Sequence, residues 1–197
     1  MNKTRDEQTA KIYARIGEYV VEFSQLVHWL KIMLASSIAK NSSQQPTVND
    51  LLDELSDGAL IRVVRRHLVA PEYRSTEDRK IIDEILGRIG SAEAERNQLL
   101  HSVWFVGWGN EQTTDWSKAA RIKSTAKRTK IGASESHNES EESIAARVRN
   151  LSELRADAVR LVTIGLVPLP ESAVPGKIAR NFEREADGRY RVPQRSR

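Results

Sequence analysis

Ile81-Ile82-Asp83-Glu84-Ile85-Leu86-Gly87-Arg88-Ile89-Gly90-Ser91-Ala92-Glu93-Ala94-Glu95-Arg96-Asn97-Gln98-Leu99-Leu100-His101-Ser102-Val103 holds one change of hydrophobic period, and that change sets the fold class. Ile82, Ile85, Ile89, Ala92, Leu99 and Val103 fall on one heptad-spaced seam, the signature of a helix packed along one face. Arg96 occupies the one remaining place in that seam, where a charge needs a partner or a wet cleft. After His101 the period shifts. Residues 102–108, Ser-Val-Trp-Phe-Val-Gly-Trp, are rich in β-branched and aromatic side chains and read as a strand, with Ala119 to Ser124 as its antiparallel partner.

Outward from this stretch the chain is helical. From about Thr9 to Ala39, Ile12, Ile16, Val20, Phe23, Val27, Leu30, Leu34 and Ile38 recur in steps of three and four. Val21 and Ile32 widen that stripe, which predicts burial on more than one side. A second helix is expected from Thr47 to about Val69, with Pro46 ahead of it, Thr47 and Asp50 as a capping box, and a break near Asp57-Gly58. The third starts near Ser75, with Asp78 as its cap partner, and runs to His101. Residues 132–143 are Ser/Glu-rich and read as a mobile loop, clearest over 132–140. Glu141 to Leu166 is the fourth long helix, with Ile144, Val148, Leu151, Leu154, Ala158, Leu161 and Val162 facing inward and Pro168 and Pro170 ending it. The predicted fold is mainly α. Residues 1–170 form an antiparallel bundle of four to five helices, with a small β-hairpin insertion at about 102–131 after the third long helix. Residues 171–197, basic and with Pro175, Gly176 and Pro193, suit an extended or disordered tail.

Composition narrows the function classes. The 197 residues include no cysteine, which excludes a disulfide framework, a Cys-ligated zinc, an iron–sulfur cluster and a thiol nucleophile. No apolar run approaches the ~20 residues that span a bilayer, and Met1 to Ala10 is too polar for a signal peptide, so a cytoplasmic chain without a membrane partner is expected. The formal charge of +4 is uneven: residues 1–100 carry 14 Lys/Arg against 15 Asp/Glu, and residues 101–197 carry 17 against 12. That permits a polyanionic partner. Neither a Gly-rich phosphate loop nor a Gly-x-Ser-x-Gly elbow occurs. His28, His67 and His137 have no partner at a metal-ligand spacing, so no metal and no cofactor are expected.

The seam beside the apolar one is Gly87, Gly90, Ala94, Asn97 and His101. Each glycine costs a helix roughly 1 kcal/mol relative to alanine. Their presence predicts another backbone close by, in a groove with room for a second helix or a ligand. Asn97 and His101 are i,i+4 neighbours on one face, and Arg96 flanks it. Glu93, one turn before Asn97, is placed to hydrogen-bond Arg96 or Asn97. The alternative is structural: Glu93 and Arg96 form an ion pair and His101 caps the helix end.

Arg96-Asn97-x-x-x-His101, late in a bundle helix, resembles the Arg-x4–6-His motif of the HEPN superfamily, in which a polar residue often follows the arginine. The preceding long helix, with Glu22-Phe23-Ser24-x-Leu26, adds to the likeness. The resemblance implies a bundle of four or five helices. It also implies a metal-independent endoribonuclease whose cleft forms where two domains meet as a homodimer, in a toxin, phage-defence or RNA-processing setting. On it, Arg96, Asn97 and His101 are the catalytic residues, with Glu93 and Ser102 supporting. HEPN toxins silenced by a partner nucleotidyltransferase tend to carry Tyr two places after the histidine; here Val103 stands there, so that form of control is not supported. The residue chemistry suits RNA cleavage. A histidine can act as general base or acid, and an arginine can stabilise charge developing on phosphoryl oxygens.

Trp104 and Trp108 alternate with Val106 onto one strand face, either as core packing or as a base-stacking platform. Lys118, Arg121, Lys123, Lys127, Arg128 and Lys130 form an acid-free run, either a solvated strand edge or a phosphate track. The expected partners are therefore RNA, a second copy of the chain and an antitoxin or regulatory protein. The alternative function is a non-catalytic HEPN-like module that binds nucleic acid or a partner protein.

Overall fold

The structure, a computed structural model, describes residues 3–39, 41–72, 74–106, 118–124, 134–166 and 176–193. It is mainly helical: α1 (Lys3–Ile38), α2 (Gln45–Asp53), α3 (Asp57–Val69), α4 (Thr76–His101) and α5 (Glu141–Leu166). Between α4 and α5 lie β1 (Val103–Val106), β2 (Lys118–Ser124) and β3 (Ser134–Ser140); after α5 come a 3-10 turn at Ala179–Asn181, β4 (Glu183–Arg184) and β5 (Tyr190–Arg191). No helix among the described residues is long and apolar enough to cross a membrane.

Helix starts follow local chemistry. Ser75 and Asp78 form the expected reciprocal cap of α4: the Ser75 N–H donates to Asp78 Oδ2 (3.2 Å) and the Asp78 N–H to Ser75 Oγ (3.0 Å). Ser56 caps α3 by accepting from the Ala59 N–H (3.3 Å), which explains the break near Asp57-Gly58. Thr47 is not a cap. The helix begins earlier, at Gln45, and Pro46 takes a place in the first turn, where its missing N–H costs nothing. On α1, Ile12, Phe23, Val27, Leu30 and Leu34 are buried as expected, but Val21 is 55% exposed and does not widen the stripe.

The chain divides into two compact units, Met1–Glu22 with Ala94–Leu151 and Phe23–Glu93 with Ser152–Arg197. In the first, Ile12 and Ile144 form a buried pair against which Ile16 and Trp104 pack. The sheet here has strand order β1-β2-β3, antiparallel throughout, with Trp104 opposite Arg121 and Lys123 opposite Glu135. It extends the expected hairpin by one strand. Residues 134–140, read from sequence as a mobile loop, are that strand. An apolar alternation is missing there because the strand is held by backbone pairing to β2 and by Glu139. This carboxylate is 4% exposed and accepts two bonds from Arg147 Nη2 (2.8 and 3.0 Å). Ser140 and Ser143 then exchange backbone-to-hydroxyl bonds (3.1 and 3.2 Å) that start α5.

In the second unit Leu60, Val64 and Leu68 of α3, Ile81, Ile82, Ile85 and Ile89 of α4, and Leu161 and Val162 of α5 are all buried to 0%. The C-terminal segment, expected to be extended or disordered, is ordered over 176–193. Ile178 and Phe182 are buried, and Asp78 Oδ2 and Oδ1 accept the Gly176 and Ala179 N–H groups (3.1 and 2.8 Å). β4 and β5 pair antiparallel around a turn in which Gly188 adopts φ +84°, a conformation that favours glycine. Helix side chains hold β5. The Tyr190 N–H donates to Glu84 Oε2 (2.9 Å), the Tyr190 hydroxyl to Glu77, and the Val192 N–H to Asp157 Oδ1 (3.1 Å). Burial pushes the Asp157 carboxyl above its usual range, against the opposing pull of the Val192 N–H and of Arg88, whose Nη1 lies 3.3 Å away.

Candidate active site

The end of α4 is closed by two side chains that follow it. Ser102 Oγ donates to the Gln98 carbonyl (2.5 Å) and Trp104 Nε1 to the Leu99 carbonyl (2.9 Å). These carbonyls belong to the last turn and have no partner within the helix. Ser102 thus satisfies one carbonyl of the last turn of α4. Trp104 does the same with its indole while its half-buried ring packs against Ile12 and Ile144.

With α4 ended there, Arg96, Asn97 and His101 occupy its last two turns. Leu99 and Ala92 are buried on the apolar seam. Arg96, in the same seam, is half-buried and engaged by its surroundings. Asn97 is half-buried and His101 is exposed. Upstream on their face, Gly87 and Ala94 are exposed, and a Cβ placed on Gly87 or Gly90 would meet no atom within 4 Å. The backbone that this seam was expected to meet is not supplied by the described part of the chain. The helix instead buries its apolar side, through Ile81, Ile82, Ile85 and Ile89. Glu93 turns its carboxylate to the first turn of α3, with its oxygens 3.2 and 3.3 Å from the position of a Cβ on Gly58.

A second group of residues, not anticipated from sequence, fixes the helix beside this site. Tyr19, 1% exposed, donates its hydroxyl to Glu95 Oε2 (2.8 Å). Glu95 Oε1 pairs with Arg147 Nε (3.1 Å), and Arg147 reaches on to Glu139, which also accepts from Ser143 Oγ (3.0 Å). Burial first, and the Glu95 carboxylate second, push the Tyr19 hydroxyl far above the usual tyrosine range, so it stays a proton donor. The chain of contacts ties α4 to α1, α5 and β3 one residue before Arg96, within the first unit. The only sequence signal for it was Ser140-x-x-Ser143, a cap pattern placing Glu139 at a helix start.

Of the proposed nucleic-acid contacts, Arg121 and Lys123 lie on β2, the central strand of its sheet and not an edge. Trp108, Lys127, Arg128 and Lys130 lie outside the described residues. His28 and His67 are exposed, and His67 Nε2 lies 3.3 Å from Ser37 Oγ. Among the described residues no group of three or more Asp, Glu or His side chains gathers as a metal site.

Comparison with family models, with curated proteins and with solved structures returned no match. The arrangement on α4 is therefore read by its chemistry. It offers an exposed imidazole and, one turn earlier on the same face, a half-buried amide, with Arg96 on the apolar seam about 140° round the helix from His101. That set can move a proton and stabilise an anion.

Proposed function

We propose that this chain is a HEPN-like antiparallel helical bundle that acts in the cytoplasm as a homodimeric, metal-independent endoribonuclease, in a toxin or phage-defence setting. The observation that carries this is the exposed His101 in line, along one face of α4, with half-buried Asn97, with exposed Ala94 and with Gly87 and Gly90, at which a Cβ would meet no atom within 4 Å. A second copy laid along that row brings two His101 imidazoles to one cleft. One takes the proton of the RNA 2′-OH as it attacks the adjoining phosphorus; the other returns a proton to the departing 5′-oxygen. Arg96 stabilises the charge on the phosphoryl oxygens and Asn97 orients the phosphate. The half-buried position of Arg96 in an apolar seam favours a second reading, a non-catalytic module in which Arg96 only joins helices.

Two results test the proposal. Incubated with total RNA, the protein is expected to cut in excess chelator and leave 2′,3′-cyclic phosphate ends. Products with 3′-hydroxyl and 5′-phosphate ends, read by mass spectrometry, would point to metal-assisted hydrolysis instead. The native chain is also expected to sediment as a dimer at micromolar concentration and Gly90→Leu as a monomer. A Cβ at Gly90 would meet nothing within 4 Å, so the fold is expected to survive this substitution, which circular dichroism checks. It removes a helix-weakening glycine, so the melting temperature should hold or rise. A native chain that sediments as a monomer sinks the dimeric site.

A further inference from the structure

We propose that the outer face of α3, in the second unit, is a docking face for the phosphate backbone of an RNA strand, held by Arg62, Arg65 and Arg66 and flanked by Arg79 of α4. The inference rests on the RNA reading above and adds a surface to it, built from none of the same residues.

The face follows from the sequence of α3. Leu60, Ile61, Val64 and Leu68 are buried. At the helical repeat they fill an arc of about 100°. Arg62, Arg65 and Arg66 are exposed and fill an arc of the same width, centred roughly 140° away. Asp57, the first residue, is the one acid in the helix. Gly58, at the start of α3, lies against Glu93 of α4, and two turns on Arg65 Nε donates to Asp83 Oδ1 (2.9 Å), so the two helices run antiparallel. Arg79 is exposed one turn before Asp83 on the same side of α4, and it extends the basic face.

Among the described residues the Arg62, Arg66 and Arg79 side chains make no hydrogen bond or ion pair. Two carboxylates border the face. Glu93 lies at its Gly58 end, and Asp83 holds Arg65 in an exposed pair, a kind that contributes about 1 kcal/mol at most. The chemistry of the face selects its partner. None of the exposed large apolar side chains of the described residues belongs to α3. A helix that lies on a membrane inserts apolar side chains, and a protein interface has an apolar core. This face supplies neither. Arginine forks match phosphate oxygens. Arg62 and Arg66 stand about 6 Å apart along the helix, a spacing that serves successive phosphates of one strand and not a single ion. A convex row of cations without apolar side chains fits a polyphosphate, and on the reading above that polyphosphate is RNA.

The test is binding of a 2′-O-methyl oligoribonucleotide, which has no free 2′-OH and so is not cut, followed by fluorescence anisotropy over a range of salt concentrations. Polyglutamate and vesicles containing phosphatidylserine are the second and third arms. Arg62→Gln with Arg66→Gln is expected to flatten the salt slope by about 0.7 for each lost phosphate contact, which at about 0.1 M salt leaves affinity roughly 25-fold weaker. Arg62→Lys with Arg66→Lys keeps both charges and should keep most of the native slope. Asp83→Asn releases Arg65 and should tighten binding. Circular dichroism of each variant checks the fold, which these exposed positions should leave unchanged. Oligomer affinity and slope that are the same in native and double-glutamine proteins overturn the face, and leave His101-dependent cleavage untouched. A native chain that binds no oligomer overturns it too. Arginine-dependent binding of polyglutamate or of the vesicles, as tight as that of the oligomer, overturns it as an RNA face. Arginine-dependent oligomer binding by a chain that never cuts RNA supports the face and removes the cleavage reading.

Discussion

His101→Ala is expected to keep the native fold and lose RNA cleavage by about 10²–10⁴-fold, the usual worth of one proton-transfer group. The fold should survive because His101 is exposed and the end of α4 is closed by other side chains, Ser102 and Trp104. RNA affinity should change less than the rate, since the substitution removes the group that moves the proton and leaves Arg96 in place at the phosphate. Arg96 should behave differently. Arg96→Ala removes charge at the phosphate and also empties a half-buried place in the seam between Ala92 and Leu99, so both rate and melting temperature should fall. Arg96→Lys restores the charge but not the planar two-pronged contact, so cleavage should remain impaired while part of the stability returns. Initial rates on total RNA, with each protein repurified to exclude contaminating nuclease, separate these cases. A His101→Ala protein that cuts at the native rate would falsify the catalytic assignment and bring the binding-module reading forward.

The parts of this chain that were legible beforehand are those whose cause is local. The seam of Ile82, Ile85, Ile89 and Leu99 is buried as its spacing implies, because a helix places those residues on one face whatever packs against it. The Ser75–Asp78 cap and the limits of α5 follow from bonds closed within a few residues. The Asn97–His101 pair was legible for the same reason, as i,i+4 neighbours in a helix whose extent was clear.

What was not legible depends on partners far along the chain. Tyr19 stands outside the apolar stripe read for α1, and its bond partner Glu95 lies 76 positions away. β3 has the composition of a loop, and only its pairing with β2 and the Glu139–Arg147 bridge make it a strand. The basic C-terminal segment read as a tail because of its arginines and of Pro175, Gly176 and Pro193. Over 176–193 distant partners hold it instead, among them Glu153 of α5 for Arg191 and Glu77 of α4 for the Tyr190 hydroxyl. Gly87 and Gly90 failed in the other direction: another backbone was expected beside them, and among the described residues a Cβ on either would meet no atom within 4 Å.

Arg74→Met is expected to destabilise the fold by about 3–6 kcal/mol, because hydrogen bonds from a charged group contribute about 1.5–3 kcal/mol each and Arg74 makes two to backbone carbonyls. Its Nε donates to the Leu68 carbonyl (3.1 Å) and its Nη2 to the Gly165 carbonyl (2.6 Å). These oxygens lie in the last turns of α3 and α5, where carbonyls lack partners and the helix dipoles are negative. One guanidinium, 5% exposed, therefore serves two helix ends at once. Methionine keeps much of the volume and strands both carbonyls in a place water does not reach. Lysine carries the charge but has no fork to span the two oxygens, so Arg74→Lys should fall between native and Arg74→Met. The helix ends meet closely enough for this only because position 165 has no side chain: a Cβ there would stand 2.3 Å from Leu68 Cδ2. Gly165→Ala should accordingly cost about 1–3 kcal/mol by overpacking. Most of that extra cost should vanish in a Leu68→Ala background, where the opposing methyl groups are gone, a non-additivity expected of side chains in contact. Thermal unfolding measures both effects, and at this chain length each kcal/mol moves the midpoint by roughly 2–4 °C. An Arg74→Met protein that melts with the native midpoint would show that the two helix ends do not depend on the guanidinium. A Gly165→Ala penalty unchanged by Leu68→Ala would place the crowding somewhere other than the α3–α5 contact.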